Sequence, residues 1–407
     1  MTALANEISH KTQIITEYLS SRGLEAASFD VNGLAKFPIP PQDQIPFRAR
    51  LELASAAKEL YDISVGPKQD LRDLAWDRHR LVHEGLTAKV EAMNGNLPIG
   101  VLNLRRLLRH AMTNRIFCEK TKNQVGHTRV SRLLLKDEPL RNWAGFVCND
   151  MWLPIANTVE AMKQWPGSDE PTETGVNLAY KHNLPWFDFI HQDQTLANRY
   201  NQAMKAHGGT SGSSVEDVVN GYPWANLGEA TVVDMGGNQG YISMTIAEAH
   251  PALNFIAQDQ AGMRTPETIG TVPDHLANRV QLTTHGFFTP QREVADCYFF
   301  LRAILHGFSD KYCVKILQAL VPALRKGSVV VVNDGALPEL GTASYVEERA
   351  MRTLDLMMQV TVNAHEREAD DWTDLFARAD NRYHVERVWT PERSVMSFVE
   401  VVWTGED

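Results

Sequence analysis

Asp234, Gly236, Gly237, Gly240 and Asp259 fall within one stretch, VVDMGGNQGYISMTIAEAHPALNFIAQDQ (residues 232–260), and have the residue types that a nucleoside site requires. Glycines let the backbone approach a ligand where a Cβ would intrude. An acid at the end of the following strand is placed to accept hydrogen bonds from both hydroxyls of a ribose. The spacing is not that of a dinucleotide site, because DMGGNQG lacks the third position of G-x-G-x-x-G that accompanies a pyrophosphate on a helix N-terminus. A glycine turn with a ribose acid and no phosphate machinery suits S-adenosylmethionine. Asp234, Gly236, Gly237, Gly240, Asp259 and the adjoining Gln260 are therefore candidate cofactor residues. A tight strand-to-helix turn without a ligand would need the glycines but not Asp259.

The elements that position this stretch follow from the hydrophobic pattern. From about Tyr222 onward, short and nearly continuous apolar runs (ATVVDM, NFIAQD, DCYFFL, SVVVVND) alternate with helical stretches such as Tyr241 to His250 and Asp310 to Leu324. Runs of that kind are parallel strands covered on both faces, which predicts a doubly wound, Rossmann-like α/β sheet over residues 206–407. From Phe47 to Lys205 the spacing is helical instead. RARLELASAAKELYDISV puts Leu51, Leu53, Ala54, Ala57, Leu60 and Tyr61 on one stripe, too apolar for a free helix and suited to burial against a second subunit. Within LNLRRLLRHAMTNRIFCEKTKNQVGHTRVSRLLL, a basic helix, a short run around Ile116 and Phe117, a polar turn, another run and a further helix give a winged-helix order. Residues 1–46 read as an N-terminal helix and a proline-stiffened linker, PIPPQDQIP.

Composition excludes several classes. The 407 residues are 43 % hydrophobic and 22 % charged with a net charge of -10, so neither disorder nor a nucleic-acid footprint is expected, despite Arg105, Arg106 and Arg109 on the basic helix. The winged-helix region is read as a dimerisation module. Cys118, Cys148, Cys297 and Cys313 have unrelated spacings that predict neither disulfides nor a metal site. The N-terminus lacks a signal-peptide pattern and no later segment is long enough to span a bilayer, which predicts a cytoplasmic protein without a membrane partner.

The motifs ELYDISVGPKQDLRDLAWD, VGHTRVSRLLL, PWFDFIHQDQTLANRYNQAMKAH, NGYPWANLG, LRAILHGFSDKYCVKIL, NDGALPE and EREADDWTDLFARAD occur in fixed order from about residue 47 onward. With the cofactor stretch, they make the chain resemble the class I S-adenosylmethionine-dependent O-methyltransferases of the caffeic-acid type, in the branch common in fungal secondary metabolism. The resemblance implies that His306 is the general base that removes a proton from a phenol or enol, work that suits an imidazole whose ordinary pKa lies near neutrality. It implies that Asp334 and Glu366 flank and orient that histidine. Gly286, Phe287 and Arg302 join the cofactor residues, with Phe287 stacking on the adenine. Tyr200, Met204 and His207, at i, i+4 and i+7, match one wall of the acceptor pocket, and Met357, Met358 and Thr361 the opposite wall, although methionines at helical spacing are ordinarily core. Phe187 and Phe189 close the pocket or pack between domains. A homodimer and an aromatic or polyketide-derived acceptor are implied as well.

Three departures stand out. Gly286 occupies the place of an acid that bonds the adenine amine, and His306-Gly307-Phe308 replaces the family's His-Asp-Trp. The winged-helix region, around VEAMNGNLPIGVLNLRRLL, is about twenty residues short. They leave open a second enzyme class on the same fold, a pericyclase that holds S-adenosylmethionine as a bound cation and steers a cycloaddition, Alder-ene or rearrangement. A third reading, a regulator without catalysis that uses the winged helix, is disfavoured by the acidic charge.

Overall fold

Ile15 and Leu19, four residues apart, form one face of α1 (Thr2–Ser21) and bury against Phe47, Ala49 and Leu53 of α2 (Gln44–Trp76). The linker between them turns back so that Ile39 joins the same cluster and Tyr18 bonds the Asp43 carboxylate. This computed structural model describes the chain apart from residues 29–31, 35, 77–99, 114–116, 209–214, 261–271, 293–296, 344, 393 and 406–407. The chain divides into two units, principally Met1–Leu153 with Ile190–His207, and Pro154–Phe189 with Gly208–Ala343 and Glu347–Asp407.

In the first unit, Leu53 of the stripe read from the sequence packs toward α1, whereas among the described residues Leu51 is 42 % exposed and Tyr61 50 %. Next come α3 (Val101–Thr113), a hairpin of β1 (Phe117–Thr121) and β2 (Gln124–His127), and α4 (Arg129–Lys136). Ile116, and the part of VEAMNGNLPIGVLNLRRLL up to residue 99 on which the expected shortening falls, lie outside the described residues. Arg109 does not present a free charge, because its Nε and Nη2 each donate to the Glu119 carboxylate at 2.9 Å. An arginine held bidentately by an acid is a poor phosphate ligand, in keeping with the acidic composition. Asp137 caps α5 (Glu138–Gly145) by accepting the Leu140 N–H at 3.0 Å. A single π-helical turn, Phe146–Asp150, follows, and Asp150 accepts from Arg199 of α6 (Gln194–Gly208) at 2.6 Å.

The second unit holds, among its described residues, a seven-stranded sheet in the order β5-β4-β3-β6-β7-β9-β8. The strands are β3 (Ala230–Met235), β4 (Leu253–Asp259), β5 (Val280–Thr284), β6 (Cys297–Arg302), β7 (Val329–Asp334), β8 (Tyr383–Trp389) and β9 (Ser397–Trp403). The first five are parallel, whereas β9 runs antiparallel to β7 and β8 antiparallel to β9. Successive residues point to opposite faces, and both faces are covered. Val233, Phe299, Leu301, Val330 and Val332 belong to one cluster with Leu317 and Leu320 of α8 (Asp310–Leu320), the helix that follows α7 (Tyr241–Ala249). Val232, Phe300 and Val331 share the other cluster with Ile246 and Ala247 of α7. Each such side chain, fully buried, contributes about 1.5–3 kcal/mol, which is why these runs are nearly continuous in apolar residues.

The strand order creates the site. From β3 the chain winds outward to β4 and β5, then returns across β3 to β6 and β7. The carboxyl ends of β3 and β6 therefore diverge at a topological switch point, the crevice in which open α/β sheets bind ligands.

Candidate active site

Four strand ends supply the residues assigned to the cofactor. Beyond β3 the chain turns at Gly236, whose φ of 75° belongs to the left-handed region. A Cβ there would lie 2.4 Å from Ile304 Cδ1, and one at Gly237 would lie 2.6 Å from Asp234 Oδ2. Gly240, also at φ 75°, opens α7 with Leu282 Cδ2 2.6 Å from its Cβ position. The turn's own packing thus requires these glycines. Asp234 is buried and accepts the Ser243 hydroxyl at 2.6 Å, bracing β3 against the first turn of α7. At the end of β4, Asp259 accepts the Asn238 N–H at 2.9 Å on Oδ2 and the Gln260 N–H at 2.8 Å on Oδ1. These bonds fix the carboxylate at the strand end. The Gln260 side chain is exposed.

Beyond β5, the position a Cβ would take at Gly286 has, its chain neighbours apart, no atom of the described residues within 4 Å. The Phe287 ring lies 3.7 Å from the Gly236 Cβ position and meets Phe308 edge-on at 5.5 Å. Arg302 ends β6 with Nη2 3.6 Å from Met396 Sδ. Burial lowers the pKa of its guanidinium against the pull of Asp334, Asp234 and Asp217. Phe287 and Arg302 thus border the glycine turn and its acids.

His306 lies in the tight turn Leu305–Gly307 that follows β6. Just before it, Ala303 has a φ of 52° and donates its N–H to Asn333 O at 3.0 Å. A left-handed alanine costs on the order of 1 kcal/mol, and strain of this kind gathers at functional sites. The His306 backbone N–H donates to Asp334 Oδ2 at 3.2 Å, and its Nδ1 lies 2.8 Å from Glu366 Oε1. The His306 side chain is 20 % exposed and that of Glu366 1 %. Burial alone would lower the imidazole's pKa. The charge and hydrogen bond of Glu366, with the charge of Asp334, outweigh burial and the opposing Arg367 and carry it up to about 9. Burial pushes Asp334 up to about 6 against the pull of His306. The three residues assigned to catalysis from the sequence therefore meet in one cluster.

The acceptor residues are divided between the units. Tyr200 and Met204 share a face of α6 in the first unit, where the Tyr200 ring meets Phe146 edge-on at 5.5 Å, and the His207 side chain lies outside the described residues. Met357, Met358 and Thr361 lie in the second unit on α9 (Tyr345–Val362). Thr361 donates its hydroxyl to Met357 O at 2.7 Å, so that hydrogen is committed within the helix. Phe187 is 38 % exposed, and Phe189 stacks on His182 with ring centroids 3.8 Å apart. Arg367, fully buried beside Glu366, was not singled out by the sequence reading. Its partners Leu305, Phe308, Asp310 and Cys313 are more than fifty residues away in sequence, and no local spacing announces them.

Comparison with known proteins gives a consistent result. Residues 168–382 match the family model described as an O-methyltransferase domain. The O-methyltransferase pyvH of Aspergillus violaceofuscus is 34 % identical, with 99 % of this chain and 98 % of that protein aligned. A chlorophenol O-methyltransferase of Trichoderma longibrachiatum is 32 % identical over 99 % of this chain and 90 % of its own length. Among solved structures, LepI in complex with S-adenosylmethionine superposes with a TM-score of 0.68 at 18 % identity, covering 98 % of this chain and 100 % of the other, a likeness of fold.

Proposed function

The chain belongs to the O-methyltransferase family, and from that premise we propose that it methylates a phenol or enol oxygen of a small aromatic or polyketide-derived molecule, using S-adenosylmethionine, with His306 as the general base. The observation that carries this reading is the 2.8 Å contact between His306 Nδ1 and Glu366 Oε1. A carboxylate on Nδ1 favours the tautomer with its proton there, which leaves Nε2 to take a proton from the acceptor hydroxyl. The Asp334 carboxylate holds the backbone of the same turn, so the ring is fixed from two directions.

The residues at the sheet edge fit the cofactor. Asp259 stands at the end of β4, held by the Asn238 and Gln260 N–H groups, where a carboxylate suits ribose hydroxyls, and the open position at Gly286 beside the Phe287 ring suits a flat base. S-adenosylmethionine, when bound, supplies an electrophilic methyl group on a sulfonium. Met357, Met358, Thr361 and Phe187 of the second unit, and Tyr200, Met204 and His207 of the first, are proposed as acceptor-binding residues. The chain is further proposed to act as a homodimer.

Incubation with S-adenosylmethionine and a panel of simple phenols tests this reading. A product heavier by one methyl, with S-adenosylhomocysteine released in equal amount, is expected. His306→Ala should lower the rate about 10²- to 10⁴-fold, the usual contribution of a general base. An isomerised substrate of unchanged mass, formed without S-adenosylhomocysteine, would overturn the proposal in favour of a pericyclase.

A further inference from the structure

We infer that Arg367 is a positioning residue that holds the His306 turn and Glu366 in register, an inference that rests on the reading of His306 as the base. Its guanidinium donates through Nη1 to Leu305 O at 3.0 Å and through Nη2 to Phe308 O at 3.1 Å, the carbonyls on either side of His306. The same group reaches Asp310 Oδ1 at 3.1 Å from Nε and 2.8 Å from Nη2, and Cys313 Sγ at 3.3 Å from Nη2. One face lies over the Trp372 ring, 5.2 Å from its centre, and the side chain has no exposed surface.

The backbone of Arg367 is tied as firmly as its side chain. Its carbonyl accepts the Leu337 N–H at 2.8 Å, and the residue forms a parallel bridge with Ala336, two positions beyond Asp334. One residue therefore joins three chain segments: the turn that carries His306, the extension of β7 that carries Asp334, and its own neighbour Glu366. A planar fork with five donors can span two carbonyls and a carboxylate at once, whereas an ammonium cannot. Without that fork the turn would lose its direct side-chain tie to the Glu366 segment, and the contact whose length the chemistry needs held would be less constrained. Asp310, 29 % exposed on its side chain, anchors the fork from the surface and is also bound by Arg378 at 2.7 Å.

The test follows the His306 imidazole in the full-length protein by NMR titration with labelled histidine, its signal assigned by its loss in His306→Ala. The charged groups that act on this ring are Glu366, Asp334 and Arg367. Arg367→Lys keeps the charge and removes the fork, so the His306 midpoint should move down from its raised value toward its ordinary one, as the Glu366 contact loosens. With a phenol that the wild type methylates, kcat should fall about 10- to 100-fold while the Kd for S-adenosylhomocysteine stays within about twofold, because a misplaced base costs rate and not cofactor binding. Asp310→Asn, at a partly exposed position, should give the same shifts at smaller amplitude, and it decides the matter if Arg367→Lys does not fold. A wild-type His306 midpoint in the folded variants would overturn the inference. A wild type that binds S-adenosylhomocysteine but methylates nothing would count against the function reading alone, since the titration needs no acceptor.

Discussion

His306 Nδ1 and Glu366 Oε1 are 2.8 Å apart although sixty residues separate them in the chain, and the carboxylate is almost wholly shielded from water. An ion pair in that setting raises the histidine's affinity for protons, because the buried charge of Glu366 has little solvent to screen it. The same contact that orients the base therefore makes it reluctant to give up its proton at neutral pH. The rate should rise with pH on an ascending limb lying above neutrality.

Glu366→Gln preserves the shape and removes the charge. Burial would then dominate, and the ascending limb of kcat/KM should move to lower pH while its plateau falls about 10- to 100-fold as the tautomer is lost. Initial rates between pH 6 and 10 at fixed cofactor measure both effects. A limb that stays at the wild-type position would mean that His306 is not the titrating group.

Asp259→Ala should weaken S-adenosylmethionine by about tenfold to over a hundredfold, since hydrogen bonds to a charged acceptor are worth about 1.5–3 kcal/mol. Asp259 also holds the Asn238 and Gln260 N–H groups, so a modest drop in Tm should accompany the loss. Calorimetric affinity equal to wild type in the folded variant would remove Asp259 from the site. Gly236→Val is a different experiment: a Cβ 2.4 Å from Ile304 at a left-handed φ should lower stability before any ligand is added.

The parallel strands β3, β4, β6 and β7 were legible because burial on both faces leaves continuous apolar runs that periodicity detects. β5 was not, since VQLTT at the sheet edge is short and only half apolar. The edge strand β8 is illegible for a related reason, since YHVERVW interleaves charged and apolar residues, and the apolar run of β9 is broken by Glu400. The glycine turn and Asp259 could be read from spacing because strand, turn and helix are contiguous. The meeting of His306 with Asp334 and Glu366 came from a resemblance, and Arg367 from neither source, because contacts across the sheet edge leave no periodic trace. The role of the glycines was only half visible. Gly237 and Gly240 answer to Asp234 and Leu282 of the fold itself, which no spacing rule distinguishes from a ligand's approach.

Stability should fall as pH rises through the alkaline range. His306 binds its proton more tightly when folded, so its contribution is fully present below the unfolded pKa near 6.5 and is lost as pH climbs through about 9. In that window the native state holds more protons than the unfolded one, and the slope of unfolding free energy with pH is negative. Thermal unfolding between pH 6.5 and 9.5 should show Tm decreasing in the wild type and a flatter profile in His306→Ala. Equal slopes would show that the pair contributes nothing to this dependence.

The exposed stripe on α2 gives the last expectation. Leu51 and Tyr61 are 42 % and 50 % exposed, while Phe47, Ala49 and Leu53 of the same helix pack with α1. Exposed apolar residues of this kind mark an interaction surface, and a self-complementary patch is the commonest way for a homo-oligomer to cover one. A second copy of the chain is the proposed occupant. Light scattering at micromolar concentration should give twice the chain mass, and Leu51→Glu with Tyr61→Glu should halve it while leaving the circular dichroism of the helices intact. A wild type that scatters as a monomer, or a double variant that stays dimeric, would take this face out of the assembly.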